Sequence, residues 1–215
     1  MGPTLGASSV VQRRATVPQA LKRVFDVSVA VMVLTVLSPL VGLIALAIKL
    51  DDRGPVLFVQ DRVGRGARRF RCVKFRTMVR DADRMPGGFT VSSTDPRMTR
   101  VGRILRLWTL DELPQLINVL RGEMSIVGPR PWVPSQAAQC SEADRRRFDV
   151  RPGMAGWAWI HGRNRLDWSE RIRLDVWYVD HWSLWLDIRI LARACLLLLR
   201  REGVYADAAA GDVRG

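Results

Sequence analysis

Cysteine is scarce in this chain. Cys72, Cys140 and Cys195 lie far apart, and no Cys-x-x-Cys pair occurs. An odd, scattered set argues against a disulfide framework or a zinc cluster and fits a reducing compartment, with the three as packing residues. Histidine is as sparse, with only His161 and His181, so no His/Cys transition-metal site is expected. No Gly-x-x-x-x-Gly-Lys-Ser/Thr loop is present, which disfavours an ATPase, and no Gly-x-Gly-x-x-Gly follows a strand to support a dinucleotide fold. The Gly-x-Ser-x-Gly elbow of serine hydrolases is missing as well. Acidic residues are under-represented, 21 against 34 Lys and Arg, for a formal net charge of +13. That surplus suits a polyanionic partner: nucleic acid, anionic lipid or a phosphorylated substrate.

The longest absence is one of charge. Val27 to Ile48 is 22 residues without a charged side chain, and roughly 20 apolar residues span a bilayer as a helix. The run starts too late and runs too long for a cleavable signal peptide. A basic nucleic-acid binder would explain the charge and the eight Trp, but not this segment; no nucleic-acid partner is expected. Ser38-Pro39 sits at mid-run. Pro39 lacks an N–H and clashes with the carbonyl of Thr35, so a bend is expected there, eased by Ser38 bonding back to the carbonyl of Leu34. Both flanks are basic: Arg13, Arg14, Lys22 and Arg23 before, Lys49, Arg53, Arg62, Arg65, Arg68, Arg69 and Arg71 after. Positive charge prefers the cytoplasmic side. Both flanks satisfy that preference only if the helix enters, turns at Ser38-Pro39 and returns. A re-entrant hairpin is therefore favoured over a simple span, although proline kinks also occur in spanning helices.

The expected organisation is a disordered basic tail over 1–18, the re-entrant helix over 19–50, one folded domain with interfacial helices over 51–202, and a flexible tail over 203–215. Asp51 to Pro55 reads as a turn. Val56 to Gln60 and Phe70 to Phe75 read as short strands joined by Val63-Gly64-Arg65-Gly66. Residues 80–98 are irregular. A helix is expected from Leu105 to Leu120, ended by Gly122, then a short charged helix over 140–149, a loop from Arg151-Pro152-Gly153, and helices over 168–180 and 182–200. In the last, Trp182, Trp185, Leu186 and Ile190 share a face that suits either a membrane interface or ordinary core packing.

The chemistry concentrates in Leu105 to Leu116. Asp111 and Glu112 are adjacent, so on a helix they diverge by about 100° and take different roles. Thr109 and Glu112 have capping-box spacing, which offers a purely structural reading. The two readings are compatible, since a helix N-terminus keeps a carboxylate ionised and attracts phosphate. Gly128-Pro129-Arg130-Pro131 is a stiff turn presenting one guanidinium, and Lys74-Phe75-Arg76 puts two cations on a strand. Arg binds phosphate through a bidentate fork and Lys as a point charge.

Ordered blocks over Lys22 to Leu191 resemble the bacterial sugar transferase family, the monotopic polyprenyl-phosphate phosphoglycosyl transferases, in its minimal catalytic form. They are Lys22-Arg23-x-Phe25-Asp26, the apolar run with Ser38-Pro39, Gly54-Pro55-Val56-x-Phe58-x-Gln60-x-Arg62-Val63-Gly64, and Lys74-Phe75-Arg76-Thr77-Met78. Asp95-Pro96-Arg97-x-Thr99 and Gly102-x-x-Leu105-Arg106 follow. The most specific stretch is Leu110-Asp111-Glu112-Leu113-Pro114-Gln115-Leu116-x-Asn118-Val119-Leu120, continued by Gly122-x-Met124-Ser125-x-Val127-Gly128-Pro129-Arg130-Pro131. One block departs. Where the family has Gly-Trp-Ala-Gln-Val-Asn-Gly-Arg, this chain has Gly156-Trp157-Ala158-Trp159-Ile160-His161-Gly162-Arg163, so sugar and nucleotide contacts there do not transfer.

The resemblance implies an α+β, mostly helical fold: a re-entrant membrane helix hairpin and interfacial amphipathic helices around a small cytosolic catalytic domain. It implies a bacterial inner-membrane enzyme that acts on the cytoplasmic face, at the first membrane step of polysaccharide or glycoconjugate assembly. Its partners would be a UDP-sugar, polyprenyl phosphate and inner-membrane phospholipid. Asp111 would take the phosphosugar covalently and release UMP, with Glu112 assisting. Mg²⁺ would bridge Asp111 and the diphosphate. Arg106 and Arg163 match family phosphate-binding arginines, and Arg130 and Lys74 are further candidates. A non-enzymatic membrane adaptor would leave the Asp111-Glu112 block without purpose. A transferase moving sugar alone would release UDP.

Overall fold

The computed structural model describes residues 16–86, Ser92, 94–162 and 166–200. Helix α1 (Thr16–Asp52) carries the uncharged run and continues as helix through Pro39. Proline leaves the carbonyl four residues back without its donor. That carbonyl belongs to Thr35, and the Ser38 hydroxyl bonds it at 2.9 Å. The expected acceptor was Leu34; Thr35 is the better one, because it is the carbonyl that Pro39 orphans. The helix starts three residues before and ends two after the expected 19–50. Most of the expected tails lies outside the described residues.

The halves of α1 on either side of Pro39 dock on one small mixed domain. Ala30, with Val29, Val33 and Leu34 against it, joins the main core of Cys72, Leu116, Val119, Met124, Val127, Tyr178 and Ile190. Ile44 and Ile48, with Leu40 and Val41, join a second cluster with Phe75 and Leu105. Leu113 packs against both. Between and around these anchors α1 leaves Val36, Leu43 and Leu46 open. The helix is long and apolar enough to cross a membrane, and so much uncovered apolar surface is consistent with membrane association.

Polar anchors fix each half. Asp26, fully buried, accepts from Ser125 Oγ at 2.9 Å and from the backbone N–H of Ile126 at 3.0 Å. Lys22 reaches Asp187 at 2.6 Å. At the other end Asp51 accepts from the Val101 N–H at 3.0 Å, and Asp52 pairs with Arg76. Arg76 is thereby tied to the end of α1.

Strands β1 (Leu57–Val63) and β2 (Arg69–Phe75) form an antiparallel hairpin, with Leu57 opposite Phe75 and Val63 opposite Arg69. Helix α2 (Arg100–Leu107) starts on Thr99, whose side chain accepts from the Gly102 N–H at 2.9 Å. The expected continuous helix breaks after Leu107. Thr109 takes a left-handed conformation (φ 57°), a single tight turn holds Leu110–Glu112, and α3 (Gln115–Arg121) begins after Pro114. Gly122, at φ 80°, ends α3 as expected.

Two strands unforeseen in the sequence, β3 (Ser125–Val127) and β4 (Gly153–Ala155), pair in parallel. Three residues each are too short to show a period. Gly128 and Gly153 allow the close approach: a Cβ on Gly153 would lie 2.0 Å from the Gly128 nitrogen. Short helices α4 (Pro134–Ala137) and α5 (Trp157–His161) follow in the chain, then α6 (Trp168–Asp180) and α7 (Leu184–Arg200). Residues 143–148 form a tight helical turn.

On α7 the expected apolar face divides. Leu186 and Ile190 enter the core, whereas Trp185, Leu196 and Leu199 are exposed. Asp187, beside Leu186 on the same helix, is fully buried, because Tyr178, Lys22 and the Trp182 indole all bond it. Among the cysteines Cys72 is buried, Cys140 is half-buried and Cys195 is exposed.

Candidate active site

The turn Leu110–Glu112 lies where β2, α2 and the segment after β3 converge. Asp111 and Glu112 are both buried, at 9% and 6% exposure. The capping reading fails: Thr109 does not cap the turn, and the Glu112 side chain turns instead to two cations. Lys74 on β2 donates to Glu112 Oε1 at 3.1 Å and Arg130 donates to the same oxygen at 2.8 Å. Burial works to raise the Glu112 carboxyl, but Arg130 and Lys74 outweigh it and hold it well below the usual range.

Asp111 has the opposite environment. Among the described residues it accepts no hydrogen bond. Burial, against the pull of Lys74, pushes its carboxyl up to about 6. Two neighbouring carboxyls are thus driven apart in acidity, one tied by two cations and the other left open. Arg106, at the end of α2, is a third cation acting on Asp111. Its Nε donates to Thr77 Oγ1 at 2.9 Å, so a hydroxyl just past β2 aims it. Gly102 brings α2 against that segment, since a Cβ there would meet the Thr77 carbonyl oxygen at 2.1 Å.

The structure therefore brings Lys74, Arg106, Asp111, Glu112 and Arg130 together. Arg163 lies outside the described residues. Ser38 and Pro39 belong to α1 and not to this site. Trp159 is half-buried on α5, and the exposed His161 bonds the carbonyl of Trp157 in its own helix. Sequence reasoning missed several residues around the site. Arg62 donates to the Pro131 carbonyl at 3.0 Å and to Gln60 at 2.6 Å. Asn118, fully buried, ties α3 to β2 by accepting from the Val73 N–H and donating to the Arg71 carbonyl. Both stand in the quoted blocks, but nothing local marks their partners.

Among the described residues no three metal-ligating side chains gather, so a divalent cation here would rest on one protein carboxylate. A carboxylate with no protein partner, with phosphate oxygens to complete the shell, is how Mg²⁺ is usually held. Asp111 fits that description, while Glu112 is occupied by Lys74 and Arg130.

Residues 17–201 match the family model described as "Bacterial sugar transferase". The chain is 47% identical over 192 residues to an undecaprenyl-phosphate glucose phosphotransferase of Komagataeibacter xylinus, covering 84% of this chain and 35% of that protein. It is 40% identical over 201 residues to an undecaprenyl-phosphate galactose phosphotransferase of Salmonella typhimurium, covering 86% of this chain and 42% of that protein. It is also 40% identical to the uncharacterized sugar transferase EpsL of Bacillus subtilis, covering 86% of this chain and 90% of that protein. The chain thus spans under half of the two longer relatives and nearly all of the short one. With the Asp111-Glu112 turn at the centre of a match this long, the chain belongs to the bacterial sugar transferase family.

Proposed function

We propose that this chain is a phosphoglycosyl transferase that moves a phosphosugar from a UDP-sugar to polyprenyl phosphate and releases UMP. The observation that carries the reading is the divided pair: Asp111 buried and unbonded among the described residues, Glu112 locked between Lys74 and Arg130. Relatives named for undecaprenyl-phosphate glucose and galactose phosphotransfer support the acceptor class, and one named as a UDP-glucose:undecaprenyl-phosphate glucose-1-phosphate transferase supports the donor class.

An Asp111 carboxylate oxygen attacks the β-phosphorus of the donor. The bond from that phosphorus to the bridging oxygen breaks, and its electron pair leaves with UMP. The phosphosugar is then held on Asp111. A polyprenyl phosphate oxygen attacks the same phosphorus and expels the carboxylate. No net proton moves, and covalent catalysis splits one hard displacement into two. With its carboxyl near 6, Asp111 is mostly ionised at neutral pH yet poorly solvated, which suits a nucleophile. Arg106 and Arg130 pair with phosphate oxygens, and Lys74 adds a point charge. Glu112 holds Lys74 and Arg130 in register; when substrate phosphate draws them off, its basicity rises. Bound Mg²⁺ at Asp111 would neutralise charge between carboxylate and diphosphate.

The site works at the inner membrane face, with α1 entering and leaving on the cytoplasmic side. The docking of both α1 halves on one domain supports a re-entrant path, as does the Ser38 bond to the carbonyl freed by Pro39. Single cysteines placed near Lys22 and near Arg53 in a variant free of other cysteines test this path. A membrane-impermeant thiol reagent reaches both from one side if α1 is re-entrant, and from opposite sides if it spans.

The deciding assay is nucleotide release by detergent-purified protein with Mg²⁺, undecaprenyl phosphate and a panel of UDP-sugars, beside Asp111→Asn. UMP from one donor, abolished in the variant, is the expected result. UDP would overturn the mechanism in favour of sugar transfer.

A further inference from the structure

The turn that presents Arg130 has few donors of its own, because Pro129 and Pro131 lack N–H groups. Its carbonyls are nevertheless bonded in succession. Gly153 N–H donates to Pro129 O at 2.9 Å, Arg147 Nη2 to Arg130 O at 2.9 Å, Arg62 Nη1 to Pro131 O at 3.0 Å, and Val63 N–H to Trp132 O at 2.8 Å. Only one of these donors is a fully buried side chain. The Arg147 side chain is 1% exposed and pairs with Asp175, itself 2% exposed, at 2.7 Å. Its guanidinium lies 3.6 Å from the centre of the Trp132 ring, and Trp132 stacks on Trp168.

A buried ion pair adds little net stability over apolar residues of the same shape. This one spans 28 residues of sequence, joins the turn over 143–148 to α6, and spends a guanidinium N–H on the carbonyl of the very residue that faces Glu112.

We infer that Arg147 and Asp175 are positioning residues: the pair, stacked on Trp132, fixes the Arg130 peptide so that its guanidinium meets Glu112 and the substrate phosphate. The inference rests on the proposed phosphate role of Arg130. Displacement of a positioning group by about 1 Å costs on the order of a hundredfold in rate, so the pair governs turnover without touching substrate.

The test uses the full-length protein in detergent, with pyrophosphate binding by calorimetry and the kcat/KM of UMP release as readouts. Four variants are compared: Arg130→Ala, Arg147→Lys, the double variant Arg147→Met with Asp175→Leu, and the triple variant combining the double with Arg130→Ala. The double variant should melt within a few degrees of the parent, yet bind pyrophosphate at least tenfold more weakly. In the triple variant the double should cost nothing beyond Arg130→Ala, because it acts through that residue. A double variant that binds pyrophosphate as the parent does, or losses that simply add, would overturn the inference. If the double variant does not fold, Arg147→Lys decides. It keeps the charge but cannot serve Asp175 and Arg130 together, and unchanged binding there is equally fatal. Unchanged binding in Arg130→Ala alone strikes the phosphate reading of Arg130 itself, and the clamp with it.

Discussion

Replacing Asp111 by Asn should stabilise the free protein at neutral pH while abolishing its chemistry. The Asp111 carboxyl is held at about 6 against an ordinary 3.8, chiefly by burial, in a residue only 9% exposed. At about 1.4 kcal/mol per unit, ionising it in the folded state costs on the order of 3 kcal/mol. Well below pH 3.8 the carboxyl is neutral whether the chain is folded or not, and Asn gains nothing. As pH rises from 4 to 6 the unfolded chain ionises first, and wild-type stability falls; above 6 the deficit is constant. The neutral amide avoids that loss. For a domain of this size about 3 kcal/mol corresponds to roughly 6–12 °C in Tm. Thermal melts of both proteins in the same detergent, without Mg²⁺ or nucleotide, at pH 4.5 and pH 8, measure it. The gap at the lower pH should be about a third of that at the higher one. An Asn variant that melts below wild type at pH 8, or with no pH-dependent gap, would mean that the carboxylate is satisfied in the folded state and that Asp111 is not poised for attack.

The remaining expectations concern the groups around it. Glu112→Gln leaves Lys74 and Arg130 facing a neutral amide. Breaking a buried pair costs roughly 3–5 kcal/mol, discounted here to about 2–3 because the Arg130 side chain is 42% exposed; its Tm should drop at pH 7, and the gap from wild type should start to narrow as pH falls through the ordinary Glu range and go on narrowing well below it, towards the depressed Glu112 value. Gly102→Ala would drive a methyl group into the Thr77 carbonyl, lowering stability by about 1–3 kcal/mol and raising KM for the donor as Arg106 loses its hydroxyl partner. Asp26→Leu removes two buried hydrogen bonds that tie α1 to β3; a loss of about 2–4 kcal/mol should appear in melts, with faster proteolysis after α1. In UMP release, kcat/KM should fall as pH drops through about 6, where Asp111 takes up its proton.

Much of this protein can be read along the chain, because the relevant physics is local. Twenty-two uncharged residues set between basic flanks define α1. Alternation bounded by glycine marks the β1–β2 hairpin, and Gly122 ends α3 where only a left-handed residue fits. The adjacency of Asp111 and Glu112 by itself compels different roles for the two carboxyls, and the ordered blocks carry the family. Tertiary structure decided which role each carboxyl takes. Lys74 lies 38 residues from Glu112 and Arg130 lies 18, and only the packing of β2 and the segment after β3 around one turn separates the two acidities. It also broke the long helix at Thr109, paired Arg76 with Asp52, buried Asp187 beside Lys22 and Tyr178, and paired Arg147 with Asp175. The charge pairings among these outcomes turn on partners distant in sequence. Burial and charge pairing are properties of the assembled surroundings, which no spacing along the chain encodes.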